Sequence, residues 1–377
     1  MSMTVTEIHG TCAKGFEAVR DHFASNFEND LEIGASFSVI YKGEIVIDIW
    51  AGDADETGAT PWRHDTLANV WSTTKGVAAI CIALLVDRGQ LSYDDKVATH
   101  WPEFAANGKS DITVAQMLSH QSGLSGLREP TTLEECYDHD LMAHRLAAQE
   151  PLWEPTTRSG YHAFTYGYLA GELVKRITGK SIGTYLQDEI GKPHGIDFFI
   201  GLPQSEEPRV APLTEAKDMQ PLADTTEVQG LTFTNPAIPQ TAPNDRAWRA
   251  AEIPAAGGFG SASALAKLYA LLDDSTAPGG KAIIKRDTMD ALRTTRIEND
   301  DLILGVPVRW ASGMAMNGFE MYGPNPQTFG HTGWGGSFGC LDPEAGISIG
   351  YVLNKMGAAV VGDPRSMGLV AATFSCL

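Results

Sequence analysis

The chain has 377 residues, enough for one large domain or two closely packed subdomains. Hydrophobic residues make up 43% and charged residues 20% of the chain, which is typical of a globular protein and excludes a disordered one. The formal net charge of −19 disfavours nucleic acid and anionic membranes as partners, because both are bound mainly through lysine and arginine.

Three elements are expected in the N-terminal part of the chain. An amphipathic helix is predicted over Cys12–Asn29, and alternating apolar residues over Ala35–Ala51 predict a β-hairpin that turns at Lys42-Gly43. An apolar run predicts a helix over Ser72–Arg88, with Gly89 ending it.

The middle of the chain alternates short helical patterns with long connections. Helices are expected at Val114–Ser119 and Tyr168–Thr178, and Gln204–Asn244 is expected to be a loop that covers a cleft. After it, Ser261 is predicted to cap a helix over Ala262–Leu272. The remaining chain is expected to form strands and a last helix, at Gly305–Met316, Thr328–His331, Ser337–Asp342, Ile347–Leu353 and Ser366–Phe374.

Strands at both ends with helices between them predict an α+β fold, in which an antiparallel sheet is flanked by helices. Residues 1–90 and 251–377 are expected to form this α/β subdomain, and residues 91–250 an inserted, mainly helical subdomain. The cleft between the two is the expected active site.

The sequence predicts no bound metal and no cofactor. It predicts a cytoplasmic location. The N-terminus has no basic or apolar leader pattern, and no apolar run reaches membrane-spanning length. His139 and His144 are poorly spaced for one helical face, and surface histidines are the simpler interpretation. The odd number of cysteines, with no zinc-like spacing, favours a reducing compartment; they are Cys12, Cys81, Cys136, Cys340 and Cys376.

Ser72 and Lys75 form an SxxK pattern, the first candidate for chemistry. Positions i and i+3 share one helical face, so the lysine amine can reach the serine hydroxyl and accept its proton. Burial lowers the pKa of a lysine and suits it to this role. The pattern also occurs by chance about once in a chain of this size, so it is weak alone.

Two further segments are candidates. Tyr161, beside a lysine ammonium, could have a lowered pKa and act as a general base, although a half-buried aromatic anchor is the commoner role. The glycine-rich stretch from Gly330 to Gly336 could bring backbone N–H donors to an oxyanion, or serve as an ordinary turn.

Ser337 lies in a GxSxG pattern, the nucleophile elbow of α/β-hydrolases. That mechanism needs a histidine after the serine in chain order, and none follows His331. The chain after Ser337 also continues as a strand rather than a helix. We therefore interpret the pattern as coincidental.

Together these segments resemble the serine hydrolases that include class C β-lactamases, penicillin-binding DD-peptidases and family VIII carboxylesterases, with the carboxylesterases closest in motif. Ordered matches span about residues 30 to 360; they are WSTTKG at 71–76, MLSHQSGL at 117–124, the segments at 160–179 and 255–272, and the segment at 329–357.

The resemblance implies a set of roles. Ser72 is the acylated nucleophile, Lys75 its proton acceptor and Tyr161 a partner base that also activates water. The N–H groups of Ser72 and Trp334 form the oxyanion hole. The neighbouring substrate-binding residues are His331, Gly333 and Gly335.

Two departures from the family pattern favour neutral esters. Ala163 stands where many relatives have asparagine, and His331 where β-lactamases have a lysine that attracts a carboxylate. The resemblance thus predicts a serine carboxylesterase acting on small esters with short acyl chains, with weak β-lactamase activity. The alternatives are a β-lactamase or DD-peptidase, and an inactive binding protein of the same fold.

Overall fold

The computed structural model describes residues 6–217, 225–359 and 362–377. Its strands are β1 His9–Cys12, β2 Gly34–Tyr41, β3 Glu44–Gly52, β4 Ala68–Asn69, β5 Phe198–Ile200, β6 Gly258–Gly260, β7 Ile297–Asp300, β8 Pro307–Trp310, β9 Ala315–Met316, β10 Phe329–Thr332, β11 Phe338–Asp342 and β12 Ile347–Leu353. Its α-helices are α1 Glu17–Glu28, α2 Thr73–Asp87, α3 Val97–His100, α4 Val114–Leu118, α5 His139–Ala148, α6 Thr165–Thr178, α7 Ile182–Leu186, α8 Lys192–His194, α9 Glu227–Phe233, α10 Arg246–Ala250, α11 Ala262–Ala270, α12 Arg286–Arg293 and α13 Pro364–Phe374.

A nine-stranded antiparallel sheet joins the two ends of the chain. Its order is β1-β3-β2-β12-β11-β10-β9-β8-β7, so β2 from the N-terminal part pairs directly with β12 from the C-terminal part. Apolar residues of α1 and α13 cover one face of the central strands. On the other face α11 lies so close to β12 that a Cβ on Gly350 would be 2.3 Å from the Ala262 carbonyl oxygen.

Helix α2 is the centre of the second core. All residues from Thr73 to Leu85 are buried, because the helix is surrounded by other elements and has no solvent-facing side. Its contacts include α6, α12 and β10. A small sheet of order β4-β6-β5 lies just before its N-terminus, where Asn69 Nδ2 donates to the Ala256 carbonyl at 3.0 Å. The start of α2 is thus held from several directions.

The structure confirms the α+β architecture, the hairpin of β2 and β3, and helix α2. Gly89 follows α2 with a φ of 67°, as expected for a glycine that ends a helix. The Ser261 cap is also confirmed, because its side chain accepts from the Ala264 N–H. The division into two subdomains stays a prediction.

Three expectations need correction, and one strand was not predicted. The strand expected over Gly305–Met316 is two short strands, β8 and β9, which pair antiparallel and are separated by residues 311–314. The first helix begins at Glu17, because residues up to Cys12 pair with β3 as a strand. The segment Gln204–Asn244 contains helix α9, which starts with a capping box at Thr226; residues 218–224 of that segment lie outside the described residues. Strand β7 was not predicted, because its polar sequence has no apolar alternation.

Among the described residues, no helix combines the length and the apolar character that a crossing of the bilayer requires.

A buried ionic cluster ties α13 to the sheet. Arg365 Nη1 lies 3.1 Å from Glu32 Oε2, and Nη2 lies 2.8 Å from Asp363 Oδ2. The guanidinium also donates to the carbonyls of Leu31, Lys355 and Gly335. Burial raises the pKa of Glu32, and the neighbouring guanidinium opposes that rise. The cluster thus depends on the one cation at its centre.

Replacing Arg365 with methionine should leave two carboxyl groups buried without a cation. We expect the free energy of unfolding, measured by urea denaturation, to fall by about 3–5 kcal/mol. Lys96→Met is the control, because the Lys96–Asp111 pair is exposed. A loss for Arg365→Met no larger than that of the control would contradict this interpretation.

Candidate active site

Ser72 stands at the start of α2, immediately after a strained residue. Trp71 has a φ of 45°, which is uncommon for a residue with a side chain. Its N–H donates to Asn69 Oδ1 at 3.0 Å, and its carbonyl accepts from the Thr74 hydroxyl. These contacts hold the turn, and Ser72 lines a cavity.

Lys75 lies one turn further along α2 and is buried completely. Its Nζ lies 3.0 Å from Ser72 Oγ, 2.7 Å from the Ala163 carbonyl oxygen and 3.0 Å from the Ala255 carbonyl oxygen. Burial holds the pKa of this lysine well below its usual value. A neutral amine fits the three partners, because its two N–H groups can donate to the carbonyls while its lone pair faces the hydroxyl.

Tyr161 joins the pair from the segment before α6. The Ser72 side chain lies close enough to the Tyr161 hydroxyl to act against the rise of its pKa, and Lys75 Nζ lies 4.8 Å from the Tyr161 ring centroid. Burial raises the pKa of Tyr161 above its usual value. The expected lowering of this pKa is therefore wrong, because the neighbouring amine is itself buried and favours its uncharged form. A neutral hydroxyl that passes a proton on fits this setting better than a tyrosinate.

The turn between β10 and β11 approaches the start of α2 at Gly333. A Cβ there would lie 2.2 Å from the Val70 carbonyl oxygen and 2.3 Å from Ser337 Oγ, so only glycine allows this approach. Gly335 follows with a φ of 90°. Within the described residues, the N–H groups of Ser72 and Trp334 donate to no protein acceptor, which leaves both available to a bound oxyanion.

His331 lies in the cavity wall as a neutral acceptor. Its Nδ1 is 2.8 Å from the Thr332 carbonyl oxygen and must donate to it, so Nε2 carries the lone pair. Within the described residues, this buried Nε2 has no hydrogen-bond partner. Burial lowers the pKa of His331 to about 3. The side chain that replaces the family lysine is thus uncharged at neutral pH.

The cavity has a volume of about 1280 Å³, enough for a ligand of drug size. Ser72, Tyr161, His331 and Thr332 line it together with many apolar side chains from distant segments, including Phe233, Ile238, Ile303, Leu304, Met316 and Met321. Three aromatic residues near Ser72, Trp71, Phe164 and Trp334, also line the cavity.

The structure gives Ser337 a structural role. Its hydroxyl donates to the Val70 carbonyl at 2.9 Å and lies 3.1 Å from Thr73 Oγ1, so it attaches the β10–β11 turn to the start of α2. Strand β11 follows it directly, as the sequence predicted, and no nucleophile elbow is formed.

One group of potential metal ligands lies apart from the cavity, at His139, Asp140 and Glu172. Both carboxylates already pair with cations, Asp140 with Lys175 and Glu172 with Arg176. These ion pairs explain the group as a structural cluster.

Three residues beside Tyr161 were not predicted from the sequence. Trp310 stacks on the Tyr161 ring with centroids 5.7 Å apart, and the buried His120 ring lies 5.0 Å from it. Asp301 accepts a hydrogen bond from the Tyr161 N–H at 2.9 Å. A buried polar residue in the turn after a polar strand has no periodic pattern, so no signal in a single sequence would have found Asp301.

The family model described as Beta-lactamase matches residues 23–372. The Esterase/beta-lactamase LipL of Mycobacterium tuberculosis is 34% identical over 362 residues, which cover 93% of this chain and 83% of the relative.

Two crystal structures are similar over their whole length. A family VIII carboxylesterase is 44% identical with a TM-score of 0.94, covering 98% of this chain and 100% of the other. A penicillin-binding protein homologue from Caulobacter crescentus is 42% identical with a TM-score of 0.94, covering 99% and 100%.

Ser72 and Ser337 form a matched pair for covalent labelling. Ser72→Ala should abolish labelling by a fluorophosphonate probe, whereas Ser337→Ala should still be labelled, because Ser337 contributes only hydrogen bonds to the fold. Intact-mass spectrometry would measure both. Labelling of the Ser72→Ala variant would contradict the assignment of the nucleophile.

The lowered pKa of Lys75 predicts how stability depends on pH. Between the folded pKa and the unfolded value of about 10.4, the unfolded chain binds one more proton, so stability rises with pH. The stability of the wild type relative to Lys75→Met should therefore increase from pH 7 to pH 9, by up to about 1.4 kcal/mol per pH unit. Urea unfolding at several pH values measures it, and a constant difference would contradict burial of a neutral amine.

Proposed function

Because this chain belongs to the β-lactamase family, we propose that it is a serine carboxylesterase that hydrolyses small neutral esters with short acyl chains. The matches confirm the predicted family, the predicted fold and the predicted class of serine hydrolase. The names of the relatives include both an esterase and penicillin-binding proteins, so the choice between these activities depends on the site itself.

The observation that carries the proposal is the 3.0 Å contact between the buried Lys75 amine and Ser72 Oγ. No carboxylate is among the three partners of this amine, so burial favours its uncharged form, which is the form that can accept a proton. An inactive binding protein of the same fold would have no need of this arrangement.

In the proposed reaction, Lys75 takes the Ser72 proton as Oγ bonds to the ester carbonyl carbon. The negative charge that develops on the carbonyl oxygen is stabilised by the N–H groups of Ser72 and Trp334. The proton passes through the Tyr161 hydroxyl to the leaving alcohol as the C–O bond of the ester breaks. Water then attacks the acyl-enzyme and gives its proton to the same relay, which releases the acid and restores Ser72.

The charges around the cavity favour an ester over a β-lactam or a peptide. His331 is neutral where β-lactamases have lysine, and Arg309 is the only lysine or arginine among the described lining residues. This arginine lies 3.9 Å from Glu298 Oε2 and donates to the Pro326 carbonyl. A substrate carboxylate would thus find no unpaired cation in the described wall, whereas a neutral ester needs none.

We infer that the substrate is a small molecule and that neither nucleic acid nor membrane is a partner, given the net charge of −19. The cytoplasmic location stays a prediction.

Short p-nitrophenyl esters and nitrocefin distinguish the two activities. We expect kcat/KM for p-nitrophenyl acetate or butyrate to exceed that for nitrocefin by at least about tenfold, because no free cation attracts the nitrocefin carboxylate. Ser72→Ala should eliminate both reactions and controls for contaminating enzymes. Faster turnover of nitrocefin would replace the esterase proposal with a β-lactamase.

A further inference from the structure

Asp301 is a buried residue whose side chain accepts five hydrogen bonds, and all five donors are uncharged. Its Oδ1 accepts from the N–H groups of Tyr161, Ile303 and Leu304 at 2.9, 2.9 and 3.1 Å. Its Oδ2 accepts from the Ser159 hydroxyl at 2.8 Å and from the Trp310 indole N–H at 3.1 Å. The side chain is 2% exposed, so these donors replace water completely.

Three of the five donors belong to two segments that meet at Tyr161. Ser159 and Tyr161 lie on the segment that carries the proposed proton relay, while Trp310 stacks on the Tyr161 ring at an interplanar angle of 14°. Asp301 therefore holds both the main chain of Tyr161 and the indole that covers its ring. Two of the constraints on the direction of the phenol arise from this one side chain.

The turn that contains Asp301 is itself well fixed. The Asp301 N–H donates to the Val306 carbonyl at 3.0 Å, and the Asp301 carbonyl accepts from the Gly305 N–H at 2.9 Å. The following residue, Leu302, donates from its N–H to the Ser159 carbonyl at 3.0 Å. The side chain thus extends from a rigid turn, which is what a positioning group requires.

We propose that Asp301 is a positioning residue for the reaction, whose two oxygens hold the Tyr161 main chain and the Trp310 indole so that the Tyr161 hydroxyl stays aligned with Ser72. This inference rests on the proposed function of Tyr161 as a proton relay. It concerns a residue that does not line the cavity and has no part in the chemical steps.

The donor pattern requires a carboxylate rather than an amide. Both oxygens act only as acceptors, and an asparagine at 301 would offer one acceptor and one N–H₂ donor. The orientation that keeps the three backbone N–H bonds would place the N–H₂ group against the Trp310 N–H. Asp301→Asn should therefore preserve the main-chain anchor and release the indole.

The test measures kcat and KM of Asp301→Asn in the wild-type and Tyr161→Phe backgrounds with a short p-nitrophenyl ester. In the wild-type background we expect kcat to fall about tenfold to a hundredfold, because a small misplacement of the relay is costly, with KM within about twofold. In the Tyr161→Phe background the same substitution should change kcat by less than about twofold, since the group it positions is gone.

Asp342→Asn is the matched control. Asp342 is also a buried aspartate that accepts only from uncharged donors, including Asn325 Nδ2 and Thr328 Oγ1, but it lies at the far end of β11 from the site. We expect it to lower the melting temperature and to leave kcat within about twofold of the wild type. Should Asp301→Asn fail to fold, Trp310→Phe removes the same indole bond while it keeps a stacked ring, and kcat should again fall.

The outcomes distinguish a failure of the relay role of Tyr161 from a failure of the positioning role of Asp301. If Tyr161→Phe has the kcat of the wild type, Tyr161 is not a proton relay. If Tyr161→Phe is impaired, Asp301→Asn should cause little further loss of kcat in that variant. If it instead lowers kcat as much as it does in the wild type, its effect is structural and independent of Tyr161, and the positioning role is overturned. A wild-type kcat in both Asp301→Asn and Trp310→Phe would overturn it as well.

Discussion

The proposed chemistry of this protein depends on an amine that is buried without a counter-charge. Lys75 has two main-chain carbonyls and one serine hydroxyl as its partners, so neither an ion pair nor water stabilises its charged form. Burying a charge in this way would be costly, and the neutral form avoids that cost. The same constraint that lowers the pKa of Lys75 also gives it a lone pair directed at Ser72.

The fold brings the partners of this amine together from segments that are distant in the chain. Ser337 attaches the β10–β11 turn to the start of α2. Arg365 holds the same turn by donating to the carbonyl of Gly335, the residue that follows Trp334. Asp301 acts in a comparable way on Tyr161. The β10–β11 turn and Tyr161 are thus each held by buried polar side chains, because a hydrogen bond fixes direction more closely than apolar packing does.

The electrostatics of the site follow from burial rather than from net charge. The chain carries a formal charge of −19, yet burial lowers the pKa of Lys75, His120 and His331, so these groups favour their uncharged forms. An active site whose buried groups are uncharged suits an ester, because a neutral ester brings no charge that the protein would have to pair. This supports the proposed preference for esters better than the size of the cavity does.

Elements with strong local signals could be predicted without the structure. The apolar run of α2, the alternation in β2 and β3, and the SxxK spacing depend on neighbours within one turn or one hairpin, and the ordered motifs identified the family. The environment of each functional group, in contrast, depends on how distant segments pack together. The raised pKa of Tyr161 and the five-donor site of Asp301 depend on contacts between residues far apart in the chain, and burial and hydrogen bonding across such distances have no periodic signal in a single sequence.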